Sequence, residues 1–313
     1  MRAMVIPEFG DPDVLEERDL PVPEPGPGEL RVRVHATSVN PLDCRVRREG
    51  DSMGIATPIV VGYDASGVVD AVGPGVDSFE IDDEVFYTPE LFVQGCYAEY
   101  NVVSAEIVAD KPPELSHGEA AAMPVVAATA WAALIKRGGL ELGDRVLVHG
   151  AGGVGQQVVQ VAAAAGAEVY ATASPETLEQ AEALGAERAI DYRSDSFVDV
   201  IDAETGDGVD LVVDTVGAGT LEESLPVIRP GGRMVDIVGD PGNIGPQAKL
   251  NNVGVEFMAL ERTTETITAV RRLIERGEIV PVIDSEYSLS EVAKAHEQLE
   301  AGGVTGKIVL TVE

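Results

Sequence analysis

Apolar positions change their spacing along this chain, and the change divides it. In RVRVHATSV (31–39) apolar and polar residues alternate with period two, as in a strand with one buried face. GVVDAVGPGV (67–76) and DDEVFY (82–87) predict further strands around a Gly-Pro-Gly turn, and PVPEPGPGE predicts an extended connector ahead of them. Up to about residue 110 the pattern is that of a β-rich unit. From about 119 it changes. A helix is expected over 119–137, and DRVLVHGAGGVGQQVVQVAAAAGAEVYATA reads strand, Gly-rich turn, helix, strand. A helix over 175–185 and strands at 188–192, 209–216, 233–239 and 255–260 continue the alternation, which predicts a parallel sheet covered on both faces. After 263 come two amphipathic helices and a closing strand, GKIVLTV (306–312). That strand has no helix after it, so it is expected to return to the β-rich unit and make that domain discontinuous. Ser288 and Glu291 fit a capping box for the last helix.

Composition narrows the function classes. A chain of 313 residues fits two domains, and 45% hydrophobic content supplies a sizeable core. The 54 acidic residues against 22 basic ones give a net charge of −32. Nucleic acid and anionic membranes need a basic footprint, so neither is expected as a partner. Self-repulsion of this size is tolerated where salt screens it, and a high-salt, halophilic cytoplasm is the expected setting. Two cysteines, Cys44 and Cys96, cannot build a disulfide framework or a cysteine-rich zinc lobe. The opening MRAMVIPEFGDPDVL has no apolar signal core, and the longest apolar run, 120–135, is too short for a membrane span. A cytoplasmic protein is expected.

The chemistry concentrates in HGAGGVG. Gly150, Gly152 and Gly155 form G-x-G-x-x-G after an apolar strand and at the start of a helix, the context in which the motif has a mechanism. The first glycine permits the tight turn, the second lets backbone approach a pyrophosphate, and the third lets helix pack on strand. Gly153 and Val154, inside the turn, present backbone N–H groups at the helix N-terminus to the anion. The second strand ends ATAS (171–174) with no Asp or Glu to hold an adenosine ribose, which favours NADPH over NADH as cofactor, with NADH still open. Ser174 is a candidate for the 2′-phosphate, or equally a helix N-cap ahead of Pro175. Arg193 is the nearest candidate cation. The histidines His35, His117, His149 and His296 have no metal spacing, and His296, beside Val292 and Leu299 on one helix face, reads as a core histidine.

Over nearly its full length the chain resembles the medium-chain dehydrogenase/reductase superfamily, in particular its zinc-independent quinone oxidoreductase branch. The residues that carry the resemblance are MRAMVIPEFGDPDVLE, SVNPLD (38–43), VGYDASGVV (61–69), MPVVAATAWAAL (123–134), HGAGGVG, VDLVVDTVG (209–217) and GKIVL. It implies an α/β protein with a GroES-like, β-rich catalytic domain (1–118 and 263–313), a doubly wound Rossmann domain (119–262), and an active site in the cleft between them. Zinc-dependent members place their ligands at positions matching Asn40, Tyr63 and Val125. An amide, a neutral phenol and an alkyl group make no catalytic zinc site, so no metal is expected. What remains is hydride delivery to an acceptor that needs little activation, a quinone or an enone. Tyr63 is then the candidate hydrogen-bond donor or ring-stacking wall, and Asn40 the candidate for orienting nicotinamide ribose or substrate. Asp43 is expected to hold its loop, and Asp64 to be structural. The resemblance also implies that Thr129 packs near the nicotinamide and that Tyr192 ends the third strand beside the 2′-phosphate. The lysine that NADPH-using relatives carry near Thr177 is missing. The leading reading is an NADPH:quinone reductase. The runner-up is an NADPH-dependent alkenal/enone double-bond reductase, and a reading of another class is a non-catalytic NADPH-binding sensor. A homodimer or homotetramer through the Rossmann sheet edge is expected.

Overall fold

A computed structural model describes residues 1–217, 219–239, 244–258 and 260–312. The chain divides into two compact units, one comprising Met1–Val125, Arg262–Arg276 and Val280–Glu313, the other Val126–Glu261 and Gly277–Ile279.

The first unit opens with β1 (Arg2–Ile6), β2 (Glu16–Asp19) and the long β3 (Glu29–Val39), followed by α1 (Pro41–Glu49). Next come β4 (Ile59–Val60), β5 (Ala65–Val72), β6 (Glu84–Tyr87), β7 (Tyr100–Ser104), β8 (Val108–Asp110) and the short α2 (His117–Ala121). Alternation along β3 shows as buried Leu30, Val32 and Val34 between more exposed arginines, and these residues pack with Val69, Val85 and Val103. A single helix over 119–137 does not form. α2 ends at Ala121, and α3 (Pro124–Trp131) starts afresh on a proline, which has no N–H to continue the helix before it. A π-helical turn, Ala132–Arg137, follows α3.

The second unit continues with β9 (Arg145–His149), α4 (Gly153–Ala164), β10 (Glu168–Ala173), α5 (Leu178–Ala183), β11 (Arg188–Asp191), α6 (Phe197–Thr205) and β12 (Val209–Asp214). It closes with α7 (Thr220–Ser224), β13 (Ile228–Asp236), α8 (Ile244–Leu250) and β14 (Gly254–Phe257). Its six strands are all parallel in the order β11-β10-β9-β12-β13-β14, a doubly wound sheet whose chain reverses direction beside β9. The expected strand 255–260 ends at Phe257, and its residue 259 lies outside the described residues. The helix expected from 175 begins at Leu178 with Thr177 as its N-cap, so Ser174 is not the cap. The Thr177 N–H instead closes a turn on the Ser174 carbonyl.

The chain then returns to the first unit through α9 (Thr264–Glu275), β15 (Ile283–Ser288), α10 (Val292–Ala301) and β16 (Lys307–Thr311). β16 pairs antiparallel with β3, and β15 pairs parallel with β16. Strand β15 was not visible in the pattern, because IDSEYS is polar at most positions and half-exposed throughout. Ser288 and Glu291 form a capping box on the 3-10 turn that leads into α10. His296 is wholly buried, with Nδ1 against Arg47 (3.1 Å) and Nε2 against the Tyr97 hydroxyl (3.0 Å), a satisfied core histidine. Among the described residues no helix is long and apolar enough to cross a membrane.

Candidate functional site

Strand register assembles a buried polar cluster in the first unit. Pairing of Ile308 with Val39 puts Lys307 opposite Asn40, and pairing of Ala65 with Thr37 puts Asp64 beside Ser38. Asn40 is extended and caps α1, with Pro41 in the first helical turn. The Asp64 carboxylate then gathers four donors. Its Oδ2 accepts from Ser38 Oγ (2.6 Å), Asn40 Nδ2 (2.8 Å) and Lys307 Nζ (3.2 Å), and its Oδ1 from the Val125 backbone N–H (2.7 Å). Lys307 also donates to the Val39 carbonyl (3.0 Å) and to Asn40 Oδ1. All of these side chains are buried, and an ion pair of this kind persists only when its remaining hydrogen-bonding positions are filled, as they are here.

Asp43 holds the two loops on either side. Its Oδ2 accepts from the Asn40 N–H (2.6 Å) and its Oδ1 from the Gly62 N–H (3.0 Å). Burial pushes its carboxyl up to about 7, against the pull of those N–H groups and Lys307, and nearby Asp64 adds to the rise. Tyr63 is fully buried, its hydroxyl donating to the Leu91 carbonyl at 3.3 Å. Burial first, and Asp43 second, hold its phenol above the ordinary range, so it keeps its proton. Arg262 lies within electrostatic reach of Tyr63, Asp64 and Asp43. Burial lowers its guanidinium, and its Nε has no partner among the described residues. The hydrogen bonds of Asn40 and Tyr63 therefore run to different partners.

In the second unit the three glycines of the turn have three separate reasons. Gly150 has φ +87°, which L side chains rarely adopt. A Cβ on Gly155 would lie 1.8 Å from the Gly150 carbonyl oxygen, so only glycine lets α4 pack on the turn. A Cβ on Gly152 would meet nothing within 4 Å, which leaves the backbone open to a ligand there. α4 begins at Gly153 and runs twelve residues, so Gly153, Val154 and Gly155 occupy its first turn, where N–H groups lack intrahelical partners. A pyrophosphate fits this arrangement. Gly150 is tied back by its N–H to Thr172 Oγ1 (3.1 Å).

β10 and β11 end in register, Ala173 beside Asp191, and this brings Ser174, Tyr192 and Arg193 to one corner. Arg193 lies 5.7 Å from the Tyr192 ring centroid, and Tyr192 is 57% exposed. The sequence shows no carboxylate at 171–174, but the Ser174–Thr177 turn brings Glu176 into the corner, 3.0 Å from Arg193 NH1. Thr129 stands on α3 and is buried.

Sequence reasoning missed Lys307, Arg262 and Glu176, and also a repeated device at the strand ends. Asp214 Oδ1 accepts from the Val216 and Gly217 N–H groups, and Asp236 Oδ1 does the same for Val238 and Gly239. The recurrence of D-x-V-G in VVDTVG and MVDIVG was the available signal.

Residues 26–113 match the family described as alcohol dehydrogenase GroES-like domain, and residues 184–310 the family described as zinc-binding dehydrogenase. Human quinone oxidoreductase is 33% identical over 323 residues, covering 99% of this chain and 97% of its own. An NADPH-dependent alkenal/one oxidoreductase of Arabidopsis thaliana is also 33% identical, covering 99% of this chain and 79% of its own. A solved structure described as an NAD-dependent alcohol dehydrogenase superposes with a TM-score of 0.93 at 36% identity, covering 100% of both chains.

Proposed function

The chain belongs to the medium-chain dehydrogenase/reductase superfamily, in its quinone oxidoreductase branch, and from that membership we propose an NADPH-dependent reductase that passes hydride to a quinone without zinc. The observation that carries the proposal is the Asn40–Asp64–Lys307 cluster. The positions that would supply a catalytic zinc hold an amide committed to Asp64 and Lys307, a phenol turned to the Leu91 carbonyl, and an alkyl side chain. This donor set does not suit zinc, which takes thiolate, imidazole or carboxylate. An alcohol would lack the Lewis acid its oxidation needs, whereas a quinone is already electron-poor.

When bound, a reduced nicotinamide supplies the hydride. The chain's own residues bind and orient. Gly150, Gly152, Gly153, Val154 and Gly155 cradle the pyrophosphate, and Ser174, Tyr192 and Arg193 face the 2′-phosphate. Thr129 packs against the nicotinamide. Asn40 carries two amide N–H groups; one is held by Asp64, and the second orients ribose or substrate. Tyr63, whose phenol keeps its proton, offers a hydrogen bond to the reduced oxygen after release from Leu91, and the Arg262 charge favours the anion that forms there.

The test is NADPH oxidation with a small benzoquinone, using chelator-treated protein in molar KCl. Rapid turnover supports the reading. Bound NADPH without quinone turnover sinks it, and turnover of enones alone selects the alkenal/enone reductase, a reading favoured by the equal identity of the Arabidopsis relative. Binding with no turnover of either leaves a sensor. We also infer a homodimer or homotetramer through β14, the edge of its sheet, where Phe257 is 50% exposed; light scattering reads the assembly.

A further inference from the structure

Glu176 is not needed by the fold. Its side chain and that of Arg193 are each more than half exposed, and an exposed pair of this kind adds little stability. Its position is what matters. It stands in the turn between β10 and α5, where a Rossmann unit meets the adenosine ribose, and it binds the cation assigned to the 2′-phosphate. Its carboxyl is held below the usual range by its own backbone N–H, then by the Ser174 side chain, then by Arg193. Arg193, which would receive a phosphate oxygen, therefore already serves a carboxylate, and the Ser174 hydroxyl stands 3.1 Å from that of Thr177. A second carboxylate stands beside the first. Asp191 accepts from the Arg193 backbone N–H (2.9 Å) and the Ser194 hydroxyl (3.0 Å), so among the described contacts of Arg193 two carboxylates meet one guanidinium. An incoming phosphomonoester, with a charge of about −1.5 to −2, must displace Glu176 from Arg193 and then lie close to it.

We propose that Glu176 is a specificity-determining residue, an internal carboxylate that holds the 2′-phosphate seat at Arg193 and so weakens the chain's preference for the phosphorylated coenzyme. The proposal rests on the NADPH reading of this corner. Removing the charge of Glu176 while keeping its shape frees Arg193 for a bidentate contact with phosphate and removes a like charge from beside it.

The probes are 2′,5′-ADP and 5′-AMP, titrated calorimetrically into the full chain in dilute buffer, so that no turnover is involved. Glu176→Gln is expected to bind 2′,5′-ADP about 5- to 20-fold tighter than the unmodified chain, with 5′-AMP within about twofold. In 2 M KCl, where the Debye length falls below about 3 Å, the gain should shrink. Arg193→Gln is expected to weaken 2′,5′-ADP in both backgrounds. Both side chains are exposed, and unchanged thermal melts verify folding. The inference alone is overturned if Arg193→Gln weakens 2′,5′-ADP and Glu176→Gln fails to tighten it. If Glu176→Gln instead weakens 5′-AMP, the carboxylate holds the ribose diol and the inference is again overturned. If 2′,5′-ADP binds no better than 5′-AMP in Glu176→Gln and Arg193→Gln changes neither, the NADPH reading has failed and the inference falls with it.

Discussion

At the scale of single residues, the first unit is organised by charges it has buried. Lys307 and Asp64 lie 3.2 Å apart with side chains 5% and 0% exposed. Removing one partner of such a pair leaves the other as an uncompensated buried charge. Lys307→Met is therefore expected to cost about 3–5 kcal/mol of unfolding free energy, and adding Asp64→Asn to recover part of it. Denaturant titration measures both, and a single-variant cost below about 1 kcal/mol would show that Asp64 finds another partner. His296 gives a pH dependence. Burial, with Arg47 adding, lowers it from 6.5 to about 3. The folded chain thus keeps it neutral where the unfolded chain takes up a proton. Its contribution is fully present above pH 6.5 and is lost as pH falls from there toward 3. His296→Gln, which can accept from Arg47 and donate to Tyr97, is expected to gain on the parent chain by about 1.4 kcal/mol per pH unit below 6.5. Unfolding curves at pH 7, 6 and 5 test it, and parallel pH profiles would show that His296 is not the titrating group.

At the scale of elements, the β9–turn–α4 unit is the part that local sequence specifies most completely. Its glycines are separated by function, one for a positive φ, one for open approach and one for close packing. Gly155→Ala places a Cβ where the Gly150 carbonyl oxygen already stands, so α4 must move off the turn. The expected outcome is loss of nucleotide binding by tenfold or more, about 1.4 kcal/mol, with the rest of the unit still folded. Calorimetry with 5′-AMP reads the first and circular dichroism the second. Elements without such punctuation were harder to read. The 119–137 stretch looked like one helix because it is apolar through most of its middle, but Pro124 opens the first turn of a new one. β15 was invisible because its polar residues do not alternate in burial. The first break is a local effect of the proline; only in β15 did tertiary pairing outweigh local preference.

At the scale of the whole molecule, the dominant quantity is a net charge of −32. With 54 acidic residues against 22 basic ones, repulsion between carboxylates is in excess, and it is screened only over about 10 Å at 0.1 M salt but over about 3 Å at 1 M. Raising KCl from 0.1 to 2 M should lift the melting temperature by about 5 °C or more. Sucrose, which stabilises by exclusion from the surface and does not screen, is the control. An equal rise in sucrose, or none in KCl, would remove self-repulsion as the cause.

The sequence by itself determined the features whose cause is local. Apolar period separated the β-rich unit from the alternating one. The glycine spacing placed the turn that opens α4, and the expectation of no zinc came from the residue types at 40, 63 and 125, positions that the family resemblance picks out. Tertiary structure decided what depends on register. Asn40 and Asp64 are 24 positions apart and Lys307 is 243 from Asp64, yet pairing of β3 with β5 and β16 makes them one cluster. Glu176 and Arg193 are 17 apart and become partners because β10 and β11 end side by side. A strand's register is fixed by how its buried face packs against the rest of the unit, a property of all the strands together, and no short window of sequence contains it.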